Sequence, residues 1–468
     1  MSAVREERSI EIRPMDVTVL FATEAELHGN INLYGFHDET QGRQGSKGLW
    51  AEGWTSLDDC IAWDVEVLEE GDYSVSIRYS CAIDPGGSEY EVVAGDSRVT
   101  GTVRETSGWL PAFFTWTSFE RQQIEGTLHL SGGVCTIEMR ATKKPGTGEV
   151  MRLYSLDLTP SAAREKIAEA GERARRMRAC TDWFIAAKYG VMFHWGTRTQ
   201  PRRGPQKPFP DAVRDFDVDS FADMVQQTGA GYVIFQAVHG GHWFPGPIQT
   251  IEEILPGRTC QRDLIGDLAD ALNQRGIRLV LYHAYGGSEK AWARASGYDK
   301  KDKTEFHHNL CAVFAEIGQR YGNKIAGYWF DFCPFNVSHH FEPLYLAAKT
   351  GNPGRIVAWN SWITRKPSDF QEYWAGEVAG ALILPDAECF GDLQPHVLIY
   401  LDDHWGHYEP DTDIRAPLFM THTLVDYVKA CIARKVVASL NLGIYQDGTI
   451  SPATLEQMQV LRRAIRGE

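Results

Sequence analysis

Gly327-Tyr328-Trp329-Phe330-Asp331-Phe332-Cys333 is an apolar, aromatic run interrupted by a single carboxylate. Such a run reads as a buried strand. Burying an ionised carboxylate without partners is strongly unfavourable. Asp331 is therefore expected either to be surrounded by donors or to stand in a cleft and carry chemistry. Alternation along the strand presents Asp331 to one face while Phe330 and Phe332 pack on the other.

Working outward, the same texture recurs from about residue 181 to the end of the chain. Short β-branched or aromatic runs occupy 189–194, 232–238, 277–283, 325–332, 355–359, 369–374, 397–402 and 436–442, and the sixth has the weakest pattern. Helical periodicity fills 216–228, 263–275, 305–320, 341–348, 423–434 and 454–465, with no convincing helix after the fifth strand. Strands alternating with helices predict an α/β fold on a parallel sheet. Eight such units over about 290 residues match a (β/α)8 TIM-like barrel, whose active site lies at the C-terminal ends of its strands. Those ends carry His194, Trp195, His239, Tyr282, His283, Asp331, Asn360, Trp362, Glu377 and Asp403-His404-Trp405. A mouth lined by two carboxylates, histidines and tryptophans suits a carbohydrate: aromatic faces hold the ring, His and Asn grip hydroxyls, and paired carboxylates break the acetal bond.

Residues 1–160 read as an N-terminal all-β sandwich domain. Trp63, Val65 and Val67 alternate, as do Tyr73, Val75, Ile77 and Tyr79, with Glu70-Gly71-Asp72 as a turn that predicts a hairpin. A second hairpin is predicted from 127–130 and 135–139 about Ser131-Gly132-Gly133, with a closing strand through Leu153, Leu156 and Leu158. Trp50, Trp54, Trp109, Phe113, Phe114 and Trp116 suggest a sugar platform, but core or interface packing is the preferred reading. Residues 161–180 predict a linking helix whose Arg173, Arg175, Arg176 and Arg178 form a solvated face. The barrel domain then spans 181–468.

A formal charge of -15 without any Lys/Arg-rich block opposes binding to nucleic acid or an anionic membrane. Nine cysteines, scattered singly and without a CxxC, fit free thiols in a reducing compartment. The charged start, Met1-Ser2-Ala3-Val4-Arg5-Glu6-Glu7-Arg8, lacks the apolar core of a signal peptide, and no run is long enough to span a membrane. A cytoplasmic protein is expected. His239 and His242 make an HxxH, yet they follow a strand rather than sharing a helical face, so no metal and no cofactor is expected. The partner expected is a glycoside or oligosaccharide, and the oligomeric state is left open, a homo-oligomer included.

The strand ends also carry a family likeness. Lys188-Tyr189-Gly190-Val191-Met192-Phe193-His194-Trp195-Gly196 resembles the "KFGIFIHWG" strand of the α-L-fucosidases of glycoside hydrolase family 29. Residues 216–239 resemble that family's helix and second strand, Tyr328-Trp329-Phe330-Asp331 its "WFD" motif, and Asp403-His404-Trp405-Gly406-His407-Tyr408 its "SWGY". Residues 436–449, containing Asn441-Leu442-Gly443 and Asp447-Gly448-Thr449, are similar to its "NLLLNIGP…DGT". The resemblance implies that Asp331 is the nucleophile and that His194 and His239 are sugar ligands. It also implies that the acid/base is Glu377, the end of Glu372-Tyr373-Trp374-Ala375-Gly376-Glu377 matched to "DYKTPE", with Glu372 as the fallback.

Two departures stand out. Where the family usually reads "HHDGF", this chain has His239-Gly240-Gly241-His242-Trp243-Phe244, so either His242 or Trp243 takes the second place or the sugar differs from fucose. The β-module expected here precedes the barrel, where the family usually carries one after it. The activity implied is a retaining, exo-acting glycoside hydrolase, foremost an α-L-fucosidase. Its pocket is expected to include His194, Trp195, His239, His242, Trp243, Tyr282, His283, Trp329, Asn360, Trp362 and Trp405. A glycosidase for a related sugar, such as an α-galactoside or another deoxyhexoside, and a non-catalytic carbohydrate-binding protein are the alternatives. Retention calls for carboxyl groups roughly 5–5.5 Å apart and inversion for roughly 6.5–9.5 Å.

Overall fold

The computed structural model describes residues 10–467 apart from 36–48, 82–86, 107–118, 286–288, 301–302, 333–337, 362–365, 386–389 and 403. Trp109, Phe113, Phe114, Trp116, Cys333, Trp362, Cys389 and Asp403 thus lie outside the described residues. The chain forms two compact units, one built mainly from residues 1–173 and one from 174–333, 340–360 and 368–468. No described helix is long and apolar enough to cross a membrane.

The first unit is all β. One sheet runs in the order Ile10–Ile12, Cys60–Val67, Gly133–Lys143, Glu89–Ala94, Ser97–Thr102. The other runs Glu120–Gln123, Gly71–Ser80, Arg152–Pro160, Leu49–Glu52, Asn32–Gly35. Inward residues of both, including Trp63 and Val65 from one and Val75, Ile77 and Leu156 from the other, share a single core. The two hairpins read from the sequence are not formed. Cys60–Val67 and Gly71–Ser80 lie in different sheets, as do Leu128–Leu130 and Gly133–Lys143. Alternation reveals a buried face without naming the hydrogen-bonding neighbour, so a short turn serves equally well as a corner between stacked sheets. Trp54 is buried in the shared core, and Trp50 packs with Phe21, Phe119 and Tyr154 in a satellite cluster.

The helix Arg164–Met177 follows, within the span read as a linker. Arg178, just past its end, corrects the reading of a solvated basic face. Its side chain is 10% exposed and pairs with Asp369 and Asp392 in the second unit, while donating to the Asp369 carbonyl.

The second unit is a mixed α/β structure built on one parallel sheet. Its strands are β1 (Tyr189–Phe193), β2 (Tyr232–Val238), β3 (Arg278–His283), β4 (Ile325–Phe330), β5 (Ile356–Trp359), β6 (Glu377–Ala379), β7 (His396–Tyr400) and β8 (Val437–Asn441). They are ordered β5-β4-β3-β2-β1-β8-β7-β6, and every pairing is parallel. Six of the helices between and after them coincide within a few residues with the periodic segments, from Val218–Thr228 to Pro452–Arg466. Both faces of the sheet are covered, so the strands are apolar almost throughout, as parallel strands must be. Met192, Ile234, Val280, Tyr282, Trp329, Ile356, Ala358, Tyr373, Ala375, Leu398 and Val437 gather on the inner face. Phe193, Phe216, Phe221 and Phe235 form an edge-to-face aromatic cluster on the outer one.

The sixth strand is displaced from its expected place. Residues 369–374 form no strand, and β6 begins at Glu377. Even so, Glu372 N–H donates to Val357 O of β5 at 2.9 Å, and Tyr373 bridges in parallel fashion to Gln394 ahead of β7. Gly376 breaks the run: its φ is +66°, and a Cβ there would fall 2.2 Å from the His396 carbonyl oxygen. Only glycine combines that dihedral with so close an approach. Gly376→Ala is expected to lower stability by about 2–3 kcal/mol, seen as a fall in the urea unfolding midpoint.

Candidate active site

Backbone pairing continues one step beyond β4 and β5: Asp331 N–H donates to His283 O at 3.0 Å, and Asn360 N–H to Phe330 O at 2.8 Å. Side chains mounted this way stand on rigid strand ends rather than on loops. Asp331 Oδ1 accepts from Asn360 Nδ2 at 3.0 Å, and Oδ2 accepts from the Tyr282 hydroxyl. The same Asn360 nitrogen donates to Glu377 Oε2 at 2.5 Å. One amide NH2 has two hydrogens and so serves both carboxylates. The two accepting oxygens are therefore no farther apart than the sum of these distances, about 5.5 Å. The partially exposed Asp331 thus has its donors and also faces an opening.

Tyr282 is buried, and its ring stacks on Trp329 with centroids 5.3 Å apart. Burial, and then the charge of Asp331, push its phenol well above its ordinary value, so it remains a donor. Trp329, the register partner of Tyr282 on the neighbouring strand, lies one layer below Asp331 in the inner core, its indole donating to Ala375 O at 2.8 Å. The rings of His194, His239 and Tyr282 meet edge-to-face at 5.0–5.8 Å, and His194 also lies 5.5 Å from Trp405. His239 reaches this group through a bulge. Gln236 pairs with Tyr282 but Val238 pairs with His283, so one extra residue in β2 inverts the alternation.

His194 is held by a residue the sequence reading did not assign to the site. Asn441, the last residue of β8, donates through Nδ2 to Trp405 O at 2.8 Å and accepts at Oδ1 from His194 Nδ1, also at 2.8 Å. That orientation puts the His194 proton on Nδ1 and leaves Nε2 bare. Burial and the neighbouring His239 lower its pKa to about 3, so the ring is neutral. Asn441 belonged to a quoted motif and ends a strand, which was the signal available for finding it.

Four expected pocket residues lie elsewhere. Trp195 follows His194 and so points to the outer face, where it is buried against Phe209, Phe216 and Phe235 and donates to Gln446 O. His283 alternates outward from Tyr282 and packs on Phe314 of the helix Thr304–Tyr321. His242 is buried flat against Trp292 at 3.3 Å and edge-on to His283, and Trp243 lies under the Arg258 guanidinium. Each is thus packed against partners of its own. Trp362 lies outside the described residues. Among the described residues no group of three or more His, Cys, Asp and Glu is placed to hold a metal ion.

Glu372, the fallback acid/base, is bonded at both oxygens. Glu372 is buried; its Oε1 accepts from Tyr345, Lys349 and the Ala179 N–H, and its Oε2 from the Val357 N–H. With both oxygens occupied and Lys349 as a buried counter-ion, this carboxylate anchors the segment that leads to Glu377.

A sheet mouth with two carboxylates on a shared amide, beside the neutral His194, a second imidazole and an indole, defines a carbohydrate-processing class of site. The α-L-fucosidase family model matches residues 206–463, more than half of the chain, and the chain belongs to that family. Tissue alpha-L-fucosidases from Bos taurus and Homo sapiens are each 29% identical over 137 residues, 22% of this chain and 28% of those proteins. The matched stretch thus spans less than a third of these relatives. Among solved structures, an alpha-L-fucosidase from Lactobacillus casei aligns at 17% identity and TM-score 0.45, covering 60% of this chain and 96% of that one. A family 29 enzyme from Bacteroides thetaiotaomicron aligns at 15% and 0.47, covering 62% and 74%.

Glu372→Ala strands Lys349 in the interior and is expected to cost about 3–5 kcal/mol, measured by urea unfolding. Tyr282→Phe removes the hydroxyl that donates to Asp331 Oδ2 and is expected to lower kcat/KM for an aryl glycoside about tenfold, measured by steady-state kinetics.

Proposed function

We propose that the protein is a retaining, exo-acting α-L-fucosidase that removes a terminal fucosyl residue by double displacement. The observation carrying this reading is the pair Asp331 and Glu377, whose Oδ1 and Oε2 are held by one amide at no more than about 5.5 Å from each other. That separation favours a nucleophile and an acid/base acting in turn over a pair spaced to admit water between them. Asp331 Oδ attacks the anomeric carbon while Glu377 protonates the departing oxygen. Glu377 then takes a proton from water, which displaces Asp331 from the glycosyl carbon. Neutral His194 offers Nε2 as an acceptor for a sugar hydroxyl, His239 faces the same space, and Trp405 offers a ring face to the apolar side of the sugar.

The reading includes closure of the parallel sheet into a (β/α)8 barrel. It is supported by the backbone bonds from residues 372–374 to Val357 on one side and Gln394 on the other. The smaller unit is read as a β-sandwich attached to the catalytic domain. A cytoplasmic location belongs to the same proposal and is supported by the seven cysteines among the described residues, which carry no disulfide.

Asp331→Ala is expected to lower kcat/KM for an aryl α-L-fucoside by about three orders of magnitude or more, with the circular dichroism spectrum unchanged. For Glu377→Ala, loss on a poor leaving group should be about 10²–10⁴-fold, and most of it should be recovered on an activated aryl fucoside. Failure of that recovery places the acid elsewhere. Because His242 is stacked on Trp292, an aryl α-galactoside belongs in the same assay. Faster turnover of the galactoside overturns fucose as the substrate.

A further inference from the structure

Three arginines follow His194 closely, and their surroundings differ. Arg202 and Arg203 share Asp413, at 2.7 Å and 3.0 Å. Arg258, on the far side of the 239–243 turn, is paired with Glu289. Arg198 is exposed, and no carboxylate pairs with it among the described residues. Its guanidinium lies over the Tyr408 ring, with the central carbon 4.7 Å from the centroid. The His404 ring meets that of Tyr408 edge-to-face, with centroids 5.3 Å apart.

This stack stands between two turns that each carry a pocket residue. Tyr408 is three residues beyond Trp405, which packs on His194. The Arg198 stem passes Gly240, next to His239, so closely that a methyl group there would lie 3.7 Å from its Cδ. Gly240 has φ +73° and no side chain, so the Arg198 stem runs past the backbone next to His239. A guanidinium stacked on a phenol ring is held in one plane while its N–H edge remains available for a planar or tetrahedral oxyanion. In a chain of formal charge -15, an exposed cation such as Arg198 acts only at short range.

We propose that Arg198, seated on Tyr408, forms a leaving-group subsite selective for aglycones that carry an oxyanion, sulfate or carboxylate, near the scissile bond. The proposal rests on the reading that the Asp331–Glu377 pocket cleaves glycosides. It assigns Arg198 to specificity and gives it no part in bond breaking.

The test compares kcat/KM for phenyl α-L-fucoside with its meta-sulfonate and meta-carboxylate derivatives, in the wild type, Arg198→Gln and Arg198→Lys. The charged-to-neutral ratio is expected to fall about tenfold in Arg198→Gln, to recover in part in Arg198→Lys, and to narrow with added salt in the wild type. The two charged substrates show whether sulfate or carboxylate is preferred. A purely structural Arg198 lowers all three rates together, and an unchanged ratio overturns the proposal. If the wild type cleaves none of the three, the hydrolase reading fails. The subsite is then decided by NMR titration with 3-hydroxybenzenesulfonate, 3-hydroxybenzoate and phenol. Charged-phenol binding that Arg198→Gln weakens upholds it, and equal or absent binding overturns it.

Discussion

The candidate site depends on the side-chain amide of Asn360. Two carboxylates this close repel one another, and each prefers water to a protein interior. Asn360 offers one hydrogen to Asp331 and one to Glu377, and Tyr282 adds a donor to Asp331. The arrangement is possible because β4 and β5 are adjacent parallel strands, about 4.8 Å apart, whose ends stay in register through the Asn360 N–H to Phe330 O bond. A side chain one step past each strand therefore reaches its neighbour directly.

Glu377 is held by other means. The segment before it forms no ladder strand, and its position is set by Glu372 on the outer side and by the turn at Gly376. Beneath it, the His396 ring is bonded at Nδ1 to the carbonyls of Trp374 and Ala375 and at Nε2 to Ser439, which also meets the Tyr232 hydroxyl. Burial lowers the His396 pKa to about 4, so the ring is neutral and bridges these groups without bringing a charge into the core. Two glutamates five residues apart thus have opposite tasks. One is saturated and structural, and the other shares a donor at the opening.

Much of the second unit was legible because parallel strands buried on both faces leave continuous apolar runs, and seven of the eight lie where those runs do. The sixth was misplaced because an aromatic segment ending in a left-handed glycine has the composition of a strand without its geometry. In the first unit, alternation located the strands but mispaired them, since burial on one face is the same for a hairpin and for two strands in facing sheets. In the site, Asp331, His194, Tyr282 and Asn360 follow from strand-end position plus alternation. Trp195 and His283 were drawn in because each adjoins a true inward residue, and one step along the chain reverses the face.

The sequence by itself determined which residues terminate the strands and therefore which chemical groups are available at one end of the sheet. It did so because burial writes a two-residue period into the chain. Only the tertiary structure decided which of those groups meet. The bulge that turns His239 inward, the Asn441 amide that orients His194, the bonds that occupy Glu372 and the amide shared by Asp331 and Glu377 all join residues distant in sequence or shift parity by one. Those relations depend on register between strands, which no local pattern encodes.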